Sequence, residues 1–189
     1  NWANEDSLRL KYSEAENFFK NYKNSFNVVF AGNVGRAQAL EVVLDAALLS
    51  LKNNEQIKFF IVGDGLALDE LKKIKKEKFI HNLYFLPPVP MNKIGTILNS
   101  ADALLVHLKK DSLFKITIPS KVQAYMAVGK PIISGLDGNA NELIKDAKCG
   151  VIFESENPKQ LFDATKRLAN MSSPELIQMG ENASSFYDK

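Results

Sequence analysis

The chain has few of the residues from which disulfide frameworks and metal sites are built. It contains one cysteine, Cys149, and two histidines, His81 and His107, among 189 residues. One cysteine excludes an intramolecular disulfide framework, and two histidines without clustered cysteines or paired aspartates give no metal-ligand spacing. The composition therefore predicts no metal site and is compatible with a reducing cytoplasm.

Strong net charge and long apolar runs are lacking as well. Lys and Arg number 24 against 22 Asp and Glu, a net charge of +2, which gives no basis for nucleic-acid binding. No apolar run approaches the roughly 20 residues of a membrane-spanning helix, so any membrane association would be peripheral or would lie in a part of the protein outside this sequence. The first residues, Asn-Trp-Ala-Asn-Glu-Asp, contain neither an initiator methionine nor a signal peptide, and we expect them to lie inside a longer protein.

Short runs of Val, Ile and Phe alternate with segments of helical period from Phe26 onward. Six such runs without a hairpin signal between them require right-handed crossovers. The sequence predicts the α/β class: a Rossmann-like three-layer αβα sandwich with a mostly parallel six-stranded sheet, spanning residues 26–189. Residues 1–25 are predicted to be an interdomain linker with one helix near Ser13 to Tyr22. A ligand of this fold is expected at the carboxyl ends of the strands.

The periodicity also places the individual elements. Strands are predicted at residues 26–31, 56–62, 83–86, 103–107, 131–134 and 150–153. Helices are predicted after Gly65 and at residues 37–52, 92–99, 120–128, 141–147, 158–170 and 174–186.

Two glycine-rich turns lead into helices at the expected ligand edge. The first is Gly32 to Arg36 and the second is Gly135 to Glu142. Glycines let the backbone approach a ligand closely, and the N–H groups of a helix start favour anions. The first turn lacks the three-glycine dinucleotide fingerprint. Either turn could instead be purely structural. In the second turn, Asn139 or Asn141 could simply be the helix N-cap.

The chain between these turns is basic. Five lysines against Asp111 are expected at the same edge, where they would offset the charge of a diphosphate: Lys109, Lys110, Lys115, Lys121 and Lys130. Lys121 differs from the others because it follows Pro119-Ser120, a predicted N-cap at a helix opening, so its ammonium and the helix N–H groups could meet one phosphate. A solvated basic loop is the alternative for the others.

A second lysine run, 72–78, is interpreted as a solvated helix face.

The segment Ile118 to Ile133, which reads IPSKVQAYMAVGKPII, resembles the donor-site segment of retaining GT-B glycosyltransferases of family 4. It is most similar to bacterial O-antigen and capsule transferases that act on amino-sugar nucleotides. Further matches between Asn27 and Phe153 are Gly32-Asn33 with Ala37-Gln38, Val62-Gly63-Asp64-Gly65, Ala101-Asp102-Ala103, and Gly138 with Glu142.

The resemblance implies metal-independent, retaining transfer from a UDP-sugar, the substrate, with no cofactor. The implied sugar is an N-acetylated amino sugar and the implied acceptor a lipid-linked glycan of surface polysaccharide synthesis, at the cytoplasmic face of the inner membrane. The donor would lie against this C-terminal half, and the acceptor and catalytic residues would belong to an N-terminal half. We therefore expect the isolated half to bind donor without turnover.

Together, the turns, the lysines and the resemblance yield eleven candidate donor-binding residues: Gly32, Asn33, Gly35, Arg36, Gln38, Lys115, Ser120, Lys121, Gly138, Asn139 and Glu142. Four positions depart from the broad family. Ile116 and Ala124 stand where many members have glutamates, and Asn33 and Gln38 stand where Arg and Lys often clasp the diphosphate. The sequence predicts an altered donor site that depends on Lys121, Arg36 and the helix starts.

Two other functions remain open. A sugar-nucleotide epimerase could use the same two-domain architecture, but it would be expected to place more acidic and histidine groups in its cleft. A non-catalytic flavodoxin-like binding domain would explain the fold, but not the linker-like start or the basic loop.

Overall fold

The computed structural model describes residue 8 and residues 19–114 and 117–189. Within them, six strands form one sheet of order β3-β2-β1-β4-β5-β6, and all its pairings are parallel. The strands are β1 (Phe26–Ala31), β2 (Ile57–Val62), β3 (Leu83–Leu86), β4 (Ala103–His107), β5 (Ile132–Gly135) and β6 (Gly150–Ile152).

Seven α-helices in the described part of the chain connect and follow these strands. They are α1 (Glu41–Lys52), α2 (Leu68–Glu77), α3 (Ile94–Ser100), α4 (Ser120–Val128), α5 (Asn139–Asp146), α6 (Pro158–Ala169) and α7 (Ser173–Tyr187). Short 3-10 turns lie at Lys20–Tyr22, Arg36–Gln38 and Ser112–Phe114. No helix among the described residues has both the length and the apolar character needed to span a membrane.

Each face of the sheet carries its own hydrophobic core, because alternate residues of a strand point to opposite faces. In β1, Val29 and Ala31 belong to the core under α3, α4, α5 and α7, whereas Val28 and Phe30 belong to the core under α1, α2 and α6. Fully burying one Val or Phe side chain contributes about 1.5–3 kcal/mol. The predicted three-layer αβα sandwich with its six-stranded sheet is confirmed.

Two predicted helix starts are wrong, and both errors have a local backbone cause. The helix predicted from residue 37 begins at Glu41, because Arg36–Gln38 forms a 3-10 turn and Ala39 takes a left-handed φ of 43°. The helix predicted from residue 141 begins at Asn139, directly after Gly138 with a φ of 70°. Other boundaries move by one or two residues. The helix predicted near Ser13 to Tyr22 falls largely outside the described residues, and its described end is a 3-10 turn.

Candidate functional site

The strand order places a crevice between the loops that follow β1 and β4. Chain connections run outward from these neighbouring strands in opposite directions, and ligands of open α/β sheets bind at such a switch point. A cavity of about 230 Å³ lies there. Its lining includes four predicted donor-binding residues, Asn33, Gln38, Ser120 and Lys121, together with Val106, His107, Leu108 and Pro119.

A second cavity of about 300 Å³ adjoins the first, since Asn33 lines both. Gly32 also lines the second cavity, beside Gly63 and Asp64 from the turn after β2. The segment after β3 completes it with Pro88, Val89 and Met91. The residues after β3 were absent from the predicted site, although the proline-rich run that ends this strand was a visible signal in the sequence.

The turn after β1 is held by its own side chains. The N–H of Gly35 donates to Oε1 of Gln38 at 3.1 Å, and a Cβ on Gly35 would lie only 2.7 Å from Nδ2 of Asn33. A Cβ on Gly63 would collide with the carbonyl oxygen of Gly32, so the turns after β1 and β2 touch through bare backbone. The carboxamide oxygen of Gln38 is therefore occupied by the turn, which leaves its amide nitrogen to donate to a ligand.

Lys121 lies in the first turn of α4 with its ammonium against an aromatic ring. Its Nζ is 3.6 Å from the centroid of the buried Phe30 ring, a cation–π distance. Burial lowers the pKa of Lys121 to about 7, because desolvation disfavours the charged form. An anion in the cavity would favour the ammonium again. Desolvation therefore makes the charge of Lys121 sensitive to what occupies the cavity, and an anionic ligand would favour its protonation.

The start of α4 differs from the prediction in one respect. Pro119, with φ −58° and ψ 136°, is the N-cap, and Ser120 is the first helical residue. The predicted N-cap pair Pro119-Ser120 is thus narrowed to Pro119. The N–H of Val122 donates to the carbonyl oxygen of Pro119 at 2.9 Å, whereas Ser120 and Lys121 line the cavity, where backbone N–H groups of a helix start can serve an anion.

His107 connects three segments beneath the site. Its Nε2 accepts a hydrogen bond from the N–H of Glu156 at 2.9 Å, so its Nδ1 carries the proton and donates to the carbonyl oxygen of Gln38 at 2.7 Å. The ring stacks on Phe153 with centroids 5.7 Å apart. Desolvation lowers the pKa of His107, which favours this neutral imidazole. His107 was not a predicted site residue; its position at the end of a buried strand was the available signal.

Tyr125 fixes the opposite wall of the crevice. Its ring is fully buried, and its hydroxyl oxygen accepts a hydrogen bond from the N–H of Ala31 at 3.0 Å. Ala31 directly precedes Gly32, so α4 is tied to the end of β1. Burial raises the pKa of Tyr125, which keeps the phenol neutral. Tyr125 was missed as well, because only tertiary packing reveals its partner.

The second glycine-rich turn lies apart from both cavities. Gly138, Asn139 and Glu142 are exposed and line neither of them, and Oε1 of Glu142 lies 2.9 Å from Nζ of Lys145. The N-cap of α5 is Gly138, so the interpretation of Asn139 or Asn141 as the N-cap is wrong. Asn141 instead accepts a hydrogen bond from Oγ of Ser134 at 2.8 Å.

The predicted lysine cluster is dispersed among the described residues. Lys110 is exposed and pairs with Glu154 at 2.6 Å. Lys130 lies two residues before β5 and, with Asp102, at the amino ends of the strands, so its predicted place beside the ligand is wrong. Arg36 is exposed and lines neither cavity. Lys115 and Ile116 lie outside the described residues, and Ala124 is buried in the core.

These residues define a Rossmann-like α/β domain that has a polar, partly cationic crevice at its switch point. The chain belongs to the family of glycosyl transferases group 1, which matches residues 13–186. It is 34% identical over 111 residues to a probable glycosyltransferase, WbjE of Pseudomonas aeruginosa, covering 59% of this chain and 27% of that protein. This family membership favours a transferase over the epimerase and flavodoxin-like alternatives.

Solved structures of low identity share the fold. Anabaena HepE in complex with UDP-glucose has a TM-score of 0.82 at 15% identity, covering 100% of this chain and 51% of that one. The C-terminal domain of LpcC from Francisella tularensis has a TM-score of 0.76 at 16% identity, covering 98% and 96%. The chain thus spans about half of HepE and nearly all of a glycosyltransferase C-terminal domain.

Proposed function

We propose that this chain is the donor-binding half of a glycosyltransferase and holds the nucleoside diphosphate of a UDP-sugar in the crevice between the loops after β1 and β4. The observation that carries the proposal is the pair of adjoining cavities, one bordered by a helix start and Lys121, the other by turns and an apolar segment. A nucleotide has the same division into an anionic and a flat, weakly polar part.

The diphosphate is assigned to the cavity beside α4. The backbone N–H groups at a helix start and the partial positive charge of the helix dipole there both stabilise phosphate oxygens. Lys121 adds a charge that desolvation makes responsive to the ligand, since a phosphate nearby would raise the lowered pKa of the ammonium. Asn33 and the amide nitrogen of Gln38 add neutral donors in the same cavity. These groups supply the recognition of a diphosphate without a metal.

The nucleoside is assigned to the second cavity. Pro88, Val89 and Met91 provide apolar surface there, while the turns of Gly32 and Gly63 offer backbone groups. Such a mixture of apolar surface and a few backbone donors and acceptors suits a nucleobase and its ribose. The HepE complexes with UDP and UDP-glucose, seen in a protein of the same fold, support uridine as the base.

The complete reaction is assigned to the whole protein rather than to this half. The crevice opens at the edge of the sheet, and group transfer requires a cleft that excludes water and stabilises the leaving diphosphate. The IPSK segment supports a retaining family 4 enzyme that transfers an N-acetylated amino sugar to a lipid-linked glycan at a membrane surface. Catalytic and acceptor-binding residues are then expected on a second half, and this chain alone binds donor without turnover.

Calorimetric titration with UDP and with uridine tests the proposal. Lys121→Ala should weaken UDP binding by about 1.5–3 kcal/mol, roughly 10-fold to 150-fold, because a hydrogen bond to a charged group is lost. Uridine binding should remain as in the unmodified chain. Lys148→Ala is the control, since Lys148 is an exposed lysine beyond α5 and outside both cavities.

Two results would contradict the proposal. Absence of saturable UDP binding below about 10 mM would exclude a donor site, because even a Kd of 1 mM corresponds to only about 4 kcal/mol. Equal losses for uridine and UDP in Lys121→Ala would show that this lysine supports the fold instead of a phosphate.

A further inference from the structure

An aromatic side chain at the end of α2 is both exposed and conformationally strained. Phe79 is 84% exposed, and its backbone φ is 53°, in the left-handed region that bulky residues avoid. Its N–H donates to the carbonyl oxygen of Lys76 at 3.2 Å, and the N–H of Ile80 donates to that of Lys75 at 3.0 Å. This is a Schellman motif, in which glycine is the preferred residue at the position of Phe79.

The same motif ends two other helices, so the residues at the left-handed position can be compared with Phe79. Asn54 after α1 and Lys148 after α5 have φ values of 54° and 50° and the same pair of hydrogen bonds. Asparagine tolerates the left-handed region, and lysine extends into solvent. A phenylalanine there costs backbone strain and exposes a large apolar ring, so its presence is not explained by the stability of the domain.

Lysines surround this ring. Lys72, Lys75 and Lys76 are spaced by three and four residues and share one face of α2, and Phe79 lies just beyond the end of this helix. They line an open groove of about 530 Å³, whose floor includes Phe85 of the edge strand β3. We call Lys72, Lys75, Lys76 and Phe79 the basic aromatic patch.

The charge of the basic aromatic patch is only weakly offset by its neighbours. Lys72 lies 3.9 Å from Asp69, at the limit of an ion pair. Within the described parts of the chain, Lys75 and Lys76 have no ion-pair partner, and the remaining lysines of α2 and its end pair elsewhere, with Glu77 and Asp45. A protein with a net charge of +2 thus carries a locally basic surface around an exposed ring.

We propose that the basic aromatic patch docks this domain on an anionic phospholipid bilayer, with the Phe79 ring at the boundary of headgroups and acyl chains and the lysines among the lipid phosphates. An exposed aromatic ring flanked by long cationic side chains is the pattern of interfacial membrane anchors. A protein partner is less favoured, since lysine is depleted in the centres of protein interfaces. The patch shares no residue with the two cavities of the proposed donor site, so the inference stands without it.

Vesicle flotation with the full chain tests the docking. Vesicles of phosphatidylcholine with about one third phosphatidylglycerol should retain the protein at low salt, and vesicles of phosphatidylcholine alone should not. Binding should weaken as the salt concentration rises to roughly 0.5 M, because screening acts on exposed charges. Equal retention by both vesicle types, or by neither, would overturn the proposal.

Charge reversal localises the contact. Each basic residue at an anionic bilayer contributes about fivefold in affinity, so Lys75→Glu combined with Lys76→Glu should reduce vesicle binding by at least 25-fold, roughly. Lys148→Glu, on an exposed position outside the patch, is the matched control and should retain most of its binding. UDP titration of the same variants should be unchanged. Equal losses in the double variant and the control would show that net charge, not this patch, determines binding.

Phe79→Gly separates membrane contact from folding. Relief of the left-handed strain should raise the thermal midpoint by roughly 2–4 °C while vesicle binding falls several-fold. Lys148→Gly should give a similar rise in the midpoint with only a small change in vesicle binding. Unchanged vesicle binding in Phe79→Gly would overturn the role of the ring, and the raised midpoint ensures that the variant is folded.

Discussion

The two glycine-rich turns look alike in sequence but occupy different surroundings in the structure. The turn from Gly32 to Arg36 borders both cavities, and it is held by Gln38, by His107 and, through Ala31, by Tyr125. The turn from Gly135 to Glu142 borders neither cavity, its residues Gly138 and Asn139 are exposed, and its Asn141 accepts a hydrogen bond from Ser134. The glycine content identifies both segments as turns. The turn that forms a site differs from the other in its hydrogen bonds to neighbouring strands and helices.

Glycine substitution should give the largest difference between the turns. Gly63→Ala, in the turn after β2, should cost at least about 3 kcal/mol of unfolding free energy, because its Cβ would collide with the carbonyl oxygen of Gly32 in the first turn. Gly138→Ala should cost about 1–3 kcal/mol, because its φ of 70° with ψ of −138° is a conformation that residues with a Cβ avoid. Urea denaturation measures both. Similar losses would show that the first turn can relax, contrary to the contact described.

Removal of one hydroxyl group should lower the stability by a smaller amount, and the two turns should differ in whether UDP affinity also falls. Tyr125→Phe leaves the N–H of Ala31 buried without its acceptor, which should cost about 1–3 kcal/mol in stability and also weaken UDP binding. Ser134→Ala, which removes the hydrogen bond to Asn141, should lose stability without changing UDP affinity. Denaturation and calorimetry of the pair test the comparison, and unchanged UDP affinity in Tyr125→Phe would argue against it.

The pH dependence of UDP binding should show the smallest effect. The pKa of Lys121 is about 7 in the free domain and rises when a phosphate binds, so binding takes up a proton above pH 7. UDP affinity should therefore fall about fivefold from pH 7 to pH 8. The change should disappear in Lys121→Ala and persist in Glu142→Gln, whose carboxylate lies in α5, outside both cavities. A UDP affinity that does not change with pH in the unmodified chain would show that Lys121 does not contact the phosphate.

The fold could be predicted because it depends on patterns that the sequence displays directly. Alternating apolar strands and periodic helices without hairpin signals allow few arrangements besides a parallel sheet with helices on both faces. The helix starts at Glu41 and Asn139 were misplaced, because a left-handed Ala39 and an N-cap glycine follow from tertiary context.

The site could be predicted only in outline. Lys121, Asn33 and Gln38 were placed together correctly, since each follows or precedes an element that ends at the same edge. His107 holds Gln38 from 69 positions away along the chain and Tyr125 holds Ala31 from 94 positions away, so periodicity could not identify either residue. Lys110 was misjudged for the same reason, because its partner Glu154 belongs to a different loop.

The hydrogen bond from Ala31 to Tyr125 also constrains how the crevice can move. One wall cannot swing away from the other without leaving an amide in the apolar interior unsatisfied, at about 1–3 kcal/mol. The end of β1 and α4 are therefore mechanically coupled, and a change in the width of the crevice that separates them has to break this hydrogen bond.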